Sequence, residues 1–323
     1  MRVSFPVEKN YRYFKFDKNY ILGKPADNMN KPYSIEYSIY DKGSHKISFG
    51  ENLIQDYLYD KSLIKHIHEA NDINPVYVED YFNAMGIPCR FDRGSEKTRK
   101  VIAYCAFKTS EIFRQMNMVL PTQLGMESHE ANSDGGINIA VCYYLPGAGI
   151  PIRTVNFNSL YDWDNHIERS KENNSNGFHS SGHFLQTFIH EYAHNVHYHH
   201  LYSKFGCPVA NNLGYYYNPE TMRILNALNM QVYDPKTGEP SKYNSYVTED
   251  ARKGMKQSSK YGSSLLPETF AEELARAVIN CLDPISLQLT KNPFPIITAS
   301  PNLNAVLYET WEGLVADGAG IIK

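Results

Sequence analysis

The chain has 323 residues, 42% hydrophobic and 21% charged, which is enough to bury one large core or two ordinary ones and too apolar for a disordered polymer. A formal charge of −3 sets nucleic acid and anionic membrane surfaces aside as partners, and no run of about 18 apolar residues offers a membrane span. Five cysteines at wide spacing, with no Cys-x-x-Cys, argue against a disulfide framework and against a thiolate zinc site. The first sixteen residues contain no apolar signal core. Synthesis in the cytoplasm without a cleaved signal peptide is therefore expected, any export following a signal-peptide-independent route.

The first fifty residues predict strands at "YRYFKF", "YSIEYSIY" and "HKISF", separated by the loop "GKPADNMNKP". Residues 51–69 carry apolar positions at helical spacing, and "INPVYVEDYFNAMGIP" predicts a short helix closed by Gly86 and Pro88. The polar stretch "RFDRGSEKTRK" suggests a boundary at 92–94. It divides a smaller α+β region of unassigned role, 1–93, from a main domain, 94–323. Ser95 then caps a long helix with Val101, Tyr104, Cys105, Phe107, Ile112 and Met116 on its apolar side. "MVLPTQL", "GINIAVCYYLP" and "IRTVNFNS" read as strands, with "SDGG" and "PGAG" as turns. Residues 162–181 are polar and read as a surface loop, a candidate lid.

Next comes a helix carrying Phe184, Leu185, Phe188, Ile189, Tyr192, Ala193 and Val196, with Ser180 or Ser181 as caps and Gly206 past its end. His190 and His194 lie four residues apart on it. That spacing turns a helix through about 400° and advances it roughly 6 Å, so two imidazoles project side by side. Both could reach one zinc at about 2.0–2.1 Å. Glu191 is turned away from that line, placed to act on water as a base without ligating. This is the logic of His-Glu-x-x-His in zinc hydrolases. The chain has 12 histidines, so a chance match is conceivable, but the apolar helix around this one favours the metal.

A catalytic zinc needs a third protein ligand. His200 falls at the last position of the metzincin pattern, His-Glu-x-x-His-x-x-Gly-x-x-His, but His197 stands where that pattern has glycine. If the helix continues, His200 lies roughly 9 Å beyond His194 along the axis and about 120° away. On this reading His199 and His200 are exposed, and His197 is a satisfied buried or rim histidine. His179 and His183 precede the helix with no informative spacing. The other source of a ligand is "YGSSLLPETFAEELARAVINCL", where Pro267 suits a first helical turn and Glu268 and Glu272 share one face. One carboxylate would bind the metal; the next, a turn on, would accept the second ring N–H of a ligating histidine.

His190-Glu191-Tyr192-Ala193-His194, then Tyr261-Gly262, then Glu268-x-Phe270-Ala271-Glu272, resembles the catalytic domain of the anthrax lethal factor family. These are gluzincin zinc metalloendopeptidases whose compact relatives are the bacterial Pro-Pro endopeptidases. The resemblance implies Zn2+ held by His190, His194 and Glu268, with Glu191 as general base, Tyr261 as oxyanion donor and Glu272 behind a ligand. It also implies a zincin-like α+β fold: a twisted sheet with an edge strand over the active-site helix, followed by a helical subdomain. Residues 203–258 then form an insertion relative to the compact members. The substrate would be a protein or peptide extended along an edge strand, either Ile137–Tyr144 or Arg153–Asn158. The expected function is a zinc endopeptidase, with an exported bacterial effector or toxin-like protease as the accompanying picture. The alternatives are a metzincin-type protease using His200 and a non-catalytic zincin-fold binding protein. Oligomeric state is not legible in the sequence.

Overall fold

A computed structural model describes residues 66, 68–130, 137–145, 152–205, 259–262, 266–291 and 293. The strands expected before residue 50, most of the helix expected over 51–69, and nearly all of the segment 203–258 lie outside the described residues.

The described residues form a mixed α+β structure. Helix α1 spans Pro75–Ala84 and α2 spans Glu96–Gln115. Strands β1 (Gln123–Glu127), β2 (Ala140–Leu145) and β3 (Ile152–Asn158) follow. After a 3-10 turn at Trp163–Asn165 come α3 (His166–Ser175), α4 (Gln186–Phe205) and α5 (Leu266–Ile279). Among these residues no helix is long and apolar enough to cross a membrane.

The local chemistry expected for the first two helices is in place. Asn74 accepts from Val76 N at 3.0 Å with Pro75 opening α1, and Gly86 takes a left-handed φ of 75° beyond its end. Ser95 accepts from Thr98 N at 3.0 Å at the start of α2. Gly94 before it has φ 77°, and a Cβ there would lie 2.9 Å from the Thr98 methyl, so a side chain is excluded twice. One hydrophobic core joins these elements. Val78 and Phe82 of α1, Ile102 and Phe113 of α2, Val155 and Phe157 of β3, Phe188 and Ile189 of α4 and Leu274 of α5 all belong to it. The core thus runs across residues 92–94 without a break, α1 packing on α2.

The sheet order is β1-β3-β2, with β1 parallel and β2 antiparallel to β3. This decides between the two candidate edge strands. Arg153–Asn158 is hydrogen-bonded on both sides and cannot take a further strand; of the two candidates only β2 is an outer strand among the described residues. Both patterns read as strands because pattern reports burial, whereas strand order is set by pairing. β1 begins later than "MVLPTQL" suggests, because Val119 O serves as acceptor for Asn195 of α4 at 3.0 Å and Pro121 has no N–H to give a ladder.

The polar stretch 162–181 is not a plain surface loop. It holds the 3-10 turn and α3, whose outer face is solvated while Trp163, His166 and Ser170 turn inward. Trp163 packs against Phe157 and Phe188, and its indole N–H donates to Asn158 O at 2.7 Å. Its first part is therefore anchored to the sheet and to α4, which argues against a lid of that extent.

His166 gives this region a pH dependence. Its Nε2–H donates to Phe184 O at 2.7 Å inside a ring of aromatic side chains, and burial pushes its pKa down from 6.5 to about 4. Above pH 6.5 the imidazole is neutral in both the folded and unfolded chain. Between about 6.5 and 4 only the unfolded chain takes up the proton, so stability falls across that window, by about 3 kcal/mol from this group. Denaturant unfolding followed from pH 7 to 4.5 should lose that share of its slope in His166→Gln, which keeps a donor for Phe184. An unchanged slope would count against a neutral buried His166.

Candidate metal centre

Helix α4 lies against β2 and β3 on one side and α5 on the other. It begins at Gln186, later than a cap at Ser180 or Ser181 would require, and continues unbroken through His197 and His200. Continuity carries His190 and His194 to the α5 side together, their ring centroids 4.7 Å apart.

Three donors converge there. Glu268 Oε2 lies 2.8 Å from His190 Nε2 and 3.2 Å from His194 Nε2, and the two Nε2 atoms are 3.0 Å apart. His190 and His194 are buried and Glu268 is partly so; they form the one potential three-ligand metal cluster among the described residues. His190 Nδ1 lies 2.9 Å from Glu272 Oε1. A carboxylate only accepts, so Nδ1 carries the proton and, in the neutral ring, Nε2 presents a lone pair. With the His194 proton on Nδ1 as well, two lone pairs and a carboxylate oxygen face one another, a poor hydrogen-bond set and a good cation site. Their separations, 2.8–3.2 Å, fall just inside the edge, about 3.3 Å, of a tetrahedron with bonds of 2.0–2.1 Å, so a small outward shift would seat an ion.

Glu272 is fully buried on α5 and accepts four hydrogen bonds. Besides His190, they come from Ser180 N at 2.6 Å, Gln186 Nε2 at 3.0 Å and His179 Nδ1 at 3.1 Å. Burial disfavours its charge, but the hydrogen bonds from His179 and His190, with the electrostatic pull of the same two residues, prevail and hold it well below the usual carboxylate range. Ser180 Oγ also donates to Glu272 O at 2.9 Å. The segment before α4 is thus tied to α5 through one residue. Sequence spacing had singled out Glu272 but neither His179, Ser180 nor Gln186. Gln186 alone left a trace, as a polar residue one turn before His190 on the same face.

Glu191 points to the sheet side. It accepts the backbone N–H of Cys142 on β2, and burial raises its pKa against the pull of His190 and His194, with Glu268 adding to the rise. A carboxylate with raised proton affinity near a donor cluster suits a base. The Tyr261 ring lies tilted beside His190, with centroids 5.4 Å apart, and its N–H donates to Phe178 O at 3.1 Å. Its hydroxyl bonds to Glu268. Burial, then the charges of Glu268 and Glu191, push the phenol far above its ordinary pKa and keep it a proton donor.

The remaining histidines separate cleanly. His197 is buried and stacks on Phe270 of α5 at 3.8 Å, an interhelix contact away from the metal donors. His200 is buried, not exposed as expected: it continues the inward stripe of Ala193, Val196 and His197 along α4. It is not among the converging donors. Nor does His183 join them; its Nδ1 accepts from Leu185 N at 3.1 Å ahead of the helix. Comparison with known proteins gave no matching family model, no matching curated protein and no matching solved structure.

Proposed function

We propose that this protein is a zinc-dependent endopeptidase of the gluzincin type, with a zincin-like domain around α4, similar in its site to the anthrax lethal factor family. The convergence of Glu268 Oε2 with the Nε2 atoms of His190 and His194 carries the reading. These three residues would hold the ion. Zinc held there would supply Lewis acidity toward water and a scissile carbonyl. Glu191 takes the proton from the attacking water and delivers it to the leaving amine, and its raised proton affinity favours the first of these steps. Tyr261 donates its O–H to the oxyanion. Glu272 fixes the His190 ring so that Nε2 faces the metal donors. β2, an outer strand among the described residues that packs on α4, is the surface on which an extended peptide would pair.

The test is metal content together with cleavage of unfolded proteins and a peptide library. One zinc per chain is expected, with cleavage abolished by a chelator and restored by zinc. A zinc-loaded protein that cuts nothing would favour a binding protein over an enzyme. Tyr261→Phe should retain zinc and the ring contact with His190 while losing about 100- to 1000-fold in kcat, the usual cost of one oxyanion donor. Near-normal turnover of that variant would remove Tyr261 from the chemistry.

A further inference from the structure

Arg153 is the second residue of β3 and faces α4 with Val155 and Phe157, by the alternation of the strand. It is 7% exposed, and its Nη1 is sealed from solvent with no hydrogen-bond partner. Among the described residues its electrostatic neighbours are Cys142 and Tyr144, neither of them a carboxylate. Tyr144 stands directly across from it on β2. Tyr144 is also buried, its hydroxyl also has no partner, and its ring contacts Tyr198 and Tyr202 of α4. Buried polar groups are rarely left unpaired, and a guanidinium nitrogen stripped of water without an anion is costly. Two such groups on facing residues are a donor set that lacks its acceptor. A carboxylate can accept from a guanidinium and a phenol at once.

The pair lies close to the metal centre. Cys142, whose N–H binds Glu191, is two residues from Tyr144 on the same face of β2, about 7 Å along the strand. Tyr198, which touches Tyr144, stacks on His194 at 5.7 Å. We propose that Arg153 and Tyr144 form a carboxylate-binding subsite beside the metal centre, selecting substrates with an acidic side chain or a free C-terminal carboxylate. Its role in choosing a scissile bond rests on the peptidase reading; binding of a carboxylate does not.

The experiment uses terminally blocked peptides differing only by Glu against Ala at each position, and Ala peptides ending in a free carboxylate or an amide. The two arms separate side-chain from terminal carboxylates. Wild type should favour one carboxylate peptide by about 10- to 100-fold in kcat/KM, the worth of a charge-assisted hydrogen bond. Arg153→Gln should abolish that preference while still turning over the neutral peptide. Tyr144→Phe, which keeps the ring packing and so guards against a misfolded Arg153 variant, should reduce the preference several-fold. Equal treatment of carboxylate and neutral peptides by wild type would overturn the proposal, as would a preference that survives Arg153→Gln or is unchanged in Tyr144→Phe. If no peptide is cut, the same comparison is read as affinity of fluorescently labelled peptides. Absence of turnover then counts against the peptidase, and absence of an Arg153-dependent affinity gap counts against the subsite.

Discussion

Glu191→Gln should bind zinc as wild type does and lose cleavage by about 100- to 10,000-fold, the range for removal of a general base. The two halves of this expectation come from different atoms. Zinc is retained because Glu191 is not among the three converging donors. Activity is lost because glutamine has the shape of glutamate but no basic oxygen. The substitution is also mild for the fold. The side-chain carbonyl of glutamine can still accept the Cys142 N–H, and the buried carboxylate it replaces already resists ionisation. Metal analysis, thermal unfolding and peptide cleavage on one preparation check all three points. A variant that loses zinc would make Glu191 a ligand, and one that keeps its cleavage would leave the protein without an identified base.

The local half of this site is legible in the sequence and the long-range half is not. His190 and His194 share a face because four residues is near one helical turn, and Glu268 and Glu272 share one for the same reason. The arrival of α5 beside α4 is a contact between residues about eighty positions apart, and no periodicity encodes it. The pairing of the two motifs came from a resemblance, and the geometry of the four side chains is compatible with it. His179 and Ser180 reach Glu272 from a stretch with no repeat at all, so their part was invisible. α3 is not legible because only His166 and Ser170 mark its inner side, too few among so many polar residues to stand out. The reverse holds for His200: the same helical period that separates it from His190 and His194 also turns it inward, on the stripe of Ala193, Val196 and His197.

Glu268→Ala should strip the metal at zinc concentrations that saturate wild type, and this effect should exceed that of any neighbouring substitution. Without Glu268 the cluster keeps only two imidazoles, and a catalytic zinc site requires three protein ligands. The comparison with Glu272→Gln sets the scale. Of the three residues that converge, Glu272 touches only His190, at its far nitrogen, and loss of such a support costs about 10- to 100-fold in affinity. Glu268→Gln separates charge from space: its amide preserves the side-chain volume but offers a neutral oxygen, so zinc binding should fall nearly as far as in the alanine variant. His200→Ala supplies the opposing arm. Because α4 runs unbroken past His197 and His200 lies outside the converging donors, zinc affinity should be unchanged in this variant. Zinc lost from His200→Ala but kept by Glu268→Ala would transfer the third ligand to α4 and make the site metzincin-like. The measurement is competitive zinc titration with a chromogenic chelator, which needs no substrate and therefore decides the ligand set even if the natural substrate is never found.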